Sequence, residues 1–174
     1  MSDARDSAAP RPAVRSVDAL LDRWEAAWCG RDASAFAPLC DPAIQYEDPV
    51  APAPLIGVDE LIAHAERLWH AFPDVRVERA GERLAEPGGR FAAAPVKLAG
   101  THRGALEDLP ATRRFVVVHG VAWCELRGGR LLRVRAFFDR YDAAVQLGVL
   151  PAAGTLGEKA LLALRGFGVR ARRA

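Results

Sequence analysis

The stretch Arg130–Pro151, RLLRVRAFFDRYDAAVQLGVLP, predicts a strand followed by a turn and a short segment that glycine and proline close. Strand side chains alternate between two faces. One face would carry Leu131, Arg133, Arg135, Phe137 and Asp139, and the other Leu132, Val134, Ala136 and Phe138. A carboxylate beside large apolar groups can have a raised pKa, so Asp139 is a candidate general base. The alternative is that Asp139 begins the turn, as aspartate often does.

The glycine loop of residues 127–130 decides which part of the preceding strand shares a face with Asp139. A two-residue Gly-Gly turn pairs Leu126 with Leu131. It puts His119 and Asp139 on opposite faces. A three-residue loop pairs Leu126 with Arg130 instead. His119 and Asp139 are then diagonal neighbours, within reach of one substrate. We prefer this second register because one surface then collects only apolar residues and glycine: Val116, Val118, Gly120, Ala122, Cys124, Leu132, Val134, Ala136 and Phe138.

Composition predicts one globular domain and argues against several classes of partner. The 174 residues carry a net charge of +2, which favours neither nucleic acid nor an anionic membrane. The three cysteines (Cys29, Cys40 and Cys124) lack metal-ligand spacing, and no metal site is predicted. Without a signal peptide or an apolar run of about 20 residues, we expect a cytoplasmic protein with reduced thiols.

The chain divides into three parts. Residues 1–15 are polar and aperiodic, so we expect a disordered leader. The folded domain is expected over residues 16–151. Residues 152–174 would form a tail with a short amphipathic helix, between Leu156 and Phe167, and a basic end. We expect this helix to dock on the domain, with membrane or partner binding as the alternative.

Two amphipathic helices are predicted in the first half of the chain. Apolar residues recur at helical spacing over residues 16–30, and again over residues 58–72, where Trp69 belongs to the buried stripe. His64 is placed off this stripe, and His70 follows Trp69. Both histidines are therefore expected at the surface.

An extended segment and a series of strands complete the domain. Tyr46 and Asp48 share a face of the segment, and Asp48 is either a turn residue or a pocket carboxylate. From Val75 the apolar period changes to two. Four strands are predicted: Val75–Leu84, Phe91–Thr101, Phe115–Leu126 and Leu131–Asp139. Pro95 suggests an edge or a bulge in the second. Helices followed by antiparallel strands predict an α+β fold.

Short motifs occur along the chain in a defined order: Trp28-x-Gly30-Arg31-Asp32, Tyr46-Glu47-Asp48-Pro49, Gly57 before a helix, Phe72-Pro73-Asp74, Gly100-Thr101-His102-x-Gly104, Leu109-Pro110-Ala111-Thr112, Gly128-Gly129-Arg130-Leu131, and Phe138-Asp139 followed by Gln146-Leu147-Gly148. The set, which runs over residues 17–151, resembles the SnoaL-like polyketide cyclase family of the nuclear-transport-factor-2-like superfamily. Two departures, Arg113 in place of a family glycine and Pro95 within a strand, bear on the shape of the substrate.

The resemblance implies a cone-shaped α+β barrel, in which N-terminal helices pack into the concave face of a curved, mainly antiparallel sheet around an apolar cavity. It also implies a homodimer or homotetramer, and activity without a metal or an organic cofactor. In the family, an aspartate on the last strand is the general acid/base for an intramolecular aldol closure. Asp139 matches that position, and His119 is the matching histidine on the neighbouring strand.

The working hypothesis is acid/base chemistry on a small, carbonyl-rich, polyketide-like molecule. Asp139 would remove an α-proton, and His119 or Arg135 would stabilise the oxyanion. Candidate substrate-binding residues are Arg135, His102, Tyr46, Asp48, Trp69, Trp123 and Phe137.

Two other functions fit the same pattern, because a fold does not determine a reaction. One is a dehydratase, an isomerase or an epoxide hydrolase, with Arg135, Asp139 and Asp48 activating a water molecule. The other is a non-catalytic ligand-binding or dimerisation module in which Asp139 is structural.

Overall fold

A computed structural model describes residues 12–165, which form four helices and a seven-stranded mixed sheet. The helices are α1 (Pro12–Gly30), α2 (Val58–Ala71), α3 (Arg140–Leu147) and α4 (Leu156–Leu164). The strands are β1 (Cys40–Glu47), β2 (Leu55–Ile56), β3 (Arg76–Arg79), β4 (Leu84–Ala85), β5 (Phe91–Thr101), β6 (Phe115–Arg127) and β7 (Arg130–Phe138). Helix α1 starts within the predicted leader, of which residues 1–11 lie outside the described residues.

The strands follow the order β2-β1-β7-β6-β5-β3, and β4 pairs with β5 beyond the end of β3. Strands β1 and β7 are parallel, whereas the other pairs are antiparallel. The α+β prediction and the cone-shaped arrangement of helices on a curved sheet are confirmed, with a sheet that remains open at β2 and β3.

Helices α1 and α2 supply the aromatic part of the core. The apolar stripe of α1, which includes Trp24 and Trp28, is buried as predicted. In α2 the Trp69 ring stacks on Phe36 at a centroid distance of 6.0 Å. The Trp69 Nε1 group donates a hydrogen bond of 3.0 Å to the carbonyl of Trp28. This contact fixes the two helices against each other over the sheet.

Strand β5 accommodates Pro95 through an interruption in its neighbour. The single strand predicted over residues 75–84 is two short strands, β3 and β4, and Pro95 lies opposite the gap between them. Its carbonyl accepts a hydrogen bond of 2.9 Å from the Ala80 amide. The prediction of an edge or a bulge in this strand is wrong, since β5 has partners on both sides. Proline has no backbone N–H to donate, and at this position no hydrogen bond between strands requires one.

The β6–β7 hairpin reaches the predicted face pattern by a different route. Leu126 pairs with Leu131, as in the two-residue turn, but Glu125 pairs with Arg133, so Leu132 is an extra residue in β7. This bulge shifts the register by one residue, which exchanges the two faces beyond it. Leu131 is therefore buried, in contrast to its predicted place beside Arg133 on the polar face.

The predicted C-terminal helix forms as α4, but none of its residues is buried. The expectation that it docks on the domain is wrong for the chain as described, and the basic end from residue 166 onward lies outside the described residues. Within residues 12–165, no helix is both long and apolar enough to cross a membrane.

Candidate active site

The concave face of the sheet, the helices α1 and α3 and the loop that follows β5 enclose a cavity of about 460 Å³. Its walls are mainly aromatic and aliphatic, with Trp24, Trp28, Val96, Val118, Ala136 and Leu147 among them. A pocket of this size and polarity is typical of a site for an apolar small molecule.

The last strand contributes no carboxylate to this cavity. Val134, Ala136 and Phe138 of β7 line it. Asp139 follows them, but its exposed side chain is the N-cap of α3 and accepts hydrogen bonds from the amides of Tyr141, at 2.8 Å, and Asp142, at 3.0 Å. The turn interpretation of Asp139 agrees with this geometry. The prediction that Asp139 faces an apolar pocket is wrong.

The residues predicted to surround Asp139 lie together on the convex face of the sheet. Trp123 pairs with Arg135 across the hairpin, and His119 is exposed on the same side. Arg135 donates a hydrogen bond of 2.8 Å to Glu47, and Phe137 is exposed. Trp123 stacks on Phe91 at 5.7 Å. The residues share a face as expected, but this face is the outer one and not the cavity wall.

A buried hydrogen-bonded network at the end of β1 brings ionisable groups to the cavity. The hydroxyl of Tyr46 donates to Oδ2 of Asp48 at 3.0 Å, and Nε2 of His64 donates to the same oxygen at 2.8 Å. The backbone amides of Val50 and Ala51 donate to Oδ1 at 2.7 and 2.8 Å. Tyr46 and Asp48 line the cavity, and the side chains of Asp48 and His64 are each only 3% exposed.

Burial and hydrogen bonding act in opposite directions on Asp48. Burial raises the pKa of its carboxyl, but the hydrogen bond and positive charge of His64 and the two backbone amides lower the pKa below its ordinary value. Burial and the neighbouring carboxylate raise the pKa of Tyr46 well above its ordinary value. Asp48 is thus an anion and Tyr46 a neutral hydroxyl at neutral pH.

His64 is the site residue that the sequence analysis misplaced. It follows Leu61 by three residues and precedes Leu68 by four, a spacing that belongs to the buried face of a helix. The signal was therefore present, with Asp48 as the partner that makes a buried histidine tolerable. Nδ1 of His64, on the other side of the ring from the contact with Asp48, lies 3.4 Å from a guanidinium nitrogen of Arg67. His70 is exposed, as predicted.

His102 is buried but does not line the cavity. Its Nδ1 accepts a hydrogen bond of 3.1 Å from the Thr112 amide, and burial lowers its pKa. These contacts close the base of a loop whose Leu106 and Leu109 lie over the cavity. Trp69, also predicted to bind substrate, is a core residue behind the cavity wall.

Other reactive groups are few in the described chain. Burial raises the pKa of both Cys40 and Cys124 to about 12, so neither thiol is ionised at neutral pH. Between residues 12 and 165, no group of three or more His, Cys, Asp and Glu side chains is arranged to hold a metal ion. Glu25, Glu107, Asp108 and Arg140 are the further charged residues that line the cavity.

Solved structures share this fold at low sequence identity. A protein from Jannaschia sp. CCS1, assigned as a SnoaL-like polyketide cyclase, superposes with a TM-score of 0.72 and 19% identity over 81% of this chain and 97% of that chain. AclR from Streptomyces galilaeus, assigned as a hydroxylase, has a TM-score of 0.68 and 22% identity over 87% and 93%. TsrD from Streptomyces laurentii has a TM-score of 0.69 and 23% identity over 78% and 97%.

No curated protein matches the sequence significantly. A sequence model of the SnoaL-like polyketide cyclases matches residues 18–147, which is most of the chain and nearly all of the sheet and cavity. The ordered motifs, the α+β cone and the apolar cavity agree with that match. The chain belongs to the SnoaL-like polyketide cyclase family.

Proposed function

We propose that the protein is a cofactor-independent cyclase that closes a ring by an intramolecular aldol-type reaction on a small carbonyl-rich molecule. The observation that carries this proposal is the Tyr46–Asp48–His64 network at the wall of an apolar cavity. Asp139 and His119 were the sequence-based candidates for these roles. We assign them no chemical role, because both are exposed outside the cavity.

Asp48 is the proposed base. Tyr46 is the group whose hydrogen bond to the carboxylate is given up when substrate binds. In the resting site all four lone-pair positions of the carboxylate accept hydrogen bonds. The Tyr46 hydroxyl can turn to a substrate carbonyl by rotation about its C–O bond, whereas the other three donors are backbone amides and a histidine held by Arg67. Loss of one hydrogen bond removes a donor that stabilises the anion, which raises the basicity of Asp48 as substrate arrives.

The reaction needs no redox partner. A C–H bond beside the substrate carbonyl breaks, its proton passes to Oδ2 of Asp48, and Tyr46 donates to the enolate oxygen. The enolate carbon attacks a second carbonyl of the same molecule, and the new alkoxide takes the proton back from Asp48. The cavity holds the two reacting carbons together and excludes water, which favours closure over protonation of the enolate by solvent.

The first test measures proton abstraction without knowledge of the natural substrate. In deuterated buffer, 2-tetralone exchanges its α-protons, and NMR gives the rate with and without protein. We expect the protein to accelerate exchange and Asp48→Asn to lower the acceleration by about 10²-fold or more. Asp139→Asn is the matched control and should retain the wild-type rate. Equal acceleration by wild type and Asp48→Asn would show that Asp48 is not the base.

A second candidate function is a non-catalytic module that binds apolar small molecules. The full hydrogen-bonding of Asp48 favours it, because a carboxylate with four donors is stable as a structural anion. This function predicts that 2-tetralone binds and does not exchange. By contrast, Arg135 and Asp139 do not line the cavity with Asp48, so their predicted arrangement for opening an epoxide is not formed there.

We also propose a homodimer that forms through the convex face of the sheet. Phe115, Val121 and Phe137 are large apolar residues exposed on this face, a pattern typical of an interaction surface. Light scattering of Val121→Glu tests it, with a shift to monomer as the expected result and an unchanged mass as the contrary one. A cytoplasmic location and activity without a cofactor stay predictions.

A further inference from the structure

The cavity has a second buried ionic group besides the network at Asp48. Glu25 of α1 lines the cavity with a side chain that is 12% exposed. Its Oε1 accepts a hydrogen bond of 2.8 Å from Arg83, whose side chain is 4% exposed. Among the residues that the structure describes, Oε2 of Glu25 has no hydrogen-bond partner. This oxygen is accessible at the cavity wall, so it can accept a hydrogen bond from a ligand.

Arg83 holds Glu25 in place together with two other carboxylates. It contacts Asp18 at 2.8 Å and Asp22 at 2.7 Å. Asp22 is 66% exposed and does not line the cavity, so its interaction with Arg83 takes place at the surface. Glu25 is the member of this group that faces inward, and the other ion pairs orient the Arg83 guanidinium toward it.

The two ionic groups belong to different elements of the fold. Tyr46 and Asp48 belong to the end of β1, whereas Arg83 directly precedes β4, which pairs with β5. Strands β7 and β6 separate β1 from β5 in the sheet, and their inward side chains in the cavity are apolar. A ligand that reaches both groups would therefore contact apolar side chains of the sheet along its length.

We propose that Glu25 is a specificity-determining residue, whose Oε2 accepts a hydrogen bond from a hydroxyl group at the end of the substrate opposite the reacting carbonyl. The substrate class is then an apolar, ring-containing ketone with a distal phenolic or alcoholic hydroxyl. The inference rests on the proposed function for the orientation of the carbonyl toward Tyr46. A hydrogen bond to a carboxylate at a cavity wall discriminates between ligands, because an analogue without the hydroxyl leaves Oε2 without a donor.

Calorimetric titration with three related probes tests the proposal directly. The probes are 6-hydroxy-2-acetylnaphthalene, 2-acetylnaphthalene and 6-methoxy-2-acetylnaphthalene, which differ only in the distal group. We expect the hydroxyl compound to bind the wild-type protein about tenfold more tightly than either of the others, since the methoxy group fills space but cannot donate. Equal affinities for the three probes, or binding of none of them, would overturn the proposal.

Variants then test whether the preference for the hydroxyl probe depends on Glu25. Glu25→Leu should bring the ratio of affinities close to one. Asp22→Ala is the matched control, because it also removes a carboxylate from Arg83 but leaves the cavity wall intact, and it should keep the wild-type ratio. If Glu25→Leu does not fold, Glu25→Gln serves, with a reduced ratio expected from its neutral amide. A folded Glu25 variant with the wild-type ratio contradicts the inference.

The failure of this inference is separable from that of the proposed function. Asp48→Asn should lose proton exchange on 2-tetralone and keep the preference for the hydroxyl probe. If exchange is absent in the wild type while the preference depends on Glu25, the protein binds the proposed class of ligand without the proposed chemistry. If exchange depends on Asp48 while the preference does not depend on Glu25, only the role of Glu25 is wrong.

Discussion

The two faces of the β6–β7 hairpin differ in a way that misleads inspection of the sequence. The convex face carries His119, Arg135 and Phe137, which have the composition of a catalytic site, and these residues are exposed. The concave face is apolar, and it is the one that bounds the cavity. Reactive side chains on a strand of an open sheet are found mainly where water solvates them, because desolvation of a charge is costly.

The buried charged groups that face the cavity are those whose burial is compensated. Asp48 accepts four hydrogen bonds, and Glu25 is paired with Arg83. Asp139 needs no such compensation, because it caps a helix at the surface. Asp48 is thus a buried carboxylate whose hydrogen-bond donors are already in place, whereas Asp139 is a solvated one. Substitution of each residue tests this difference.

The largest expected difference is in stability. Asp48→Ala leaves the Tyr46 hydroxyl, the His64 imidazole and two backbone amides without their acceptor, and should lower the free energy of unfolding by about 3–5 kcal/mol. Asp139→Ala removes an N-cap and should cost about 1 kcal/mol. Urea denaturation of the two variants measures both values. Equal losses would mean that the network at Asp48 contributes no more than a surface cap.

A smaller effect is expected from filling the cavity. Ala136→Phe on the concave face should weaken binding of 2-acetylnaphthalene by about tenfold or more, because the larger ring occupies ligand space. Val121→Thr, on the convex face of the neighbouring strand, is the control and should leave the affinity unchanged. Calorimetry gives both affinities. If Ala136→Phe binds the probe as the wild type does, the ligand occupies another part of the cavity.

The smallest effect concerns pH. The pKa of Asp48 is lowered in the folded protein, so its contribution to stability is fully present above the unfolded value of about 3.9 and is lost as pH falls through the lower folded pKa. The difference in unfolding free energy between the wild type and Asp48→Asn should therefore shrink as pH falls below about 4. Thermal unfolding across this pH range measures it, and a constant difference would contradict a lowered pKa.

Local patterns predicted much of the fold. The apolar stripes of α1 and α2, the long strands β5, β6 and β7, and the separation of the hairpin into two faces all follow from periodicities of 3.6 and 2. These features depend on residues close together in sequence. The ordered motifs, in turn, indicated the family. Asp48 was recognised as either a turn or a pocket residue. It is both, since it caps the turn at Val50 and lines the cavity.

The sequence by itself determined the long helices and strands, the family and most of the composition of the two hairpin faces. Only the tertiary structure decided which face is concave, because that depends on the side to which α1 and α2 pack and on the bulge at Leu132. It also decided that His64 of α2 reaches Asp48 of the β1 end, sixteen positions away. Contacts between distant elements depend on how the whole sheet curves and on where the helices lie against it, and a local pattern carries no information about either.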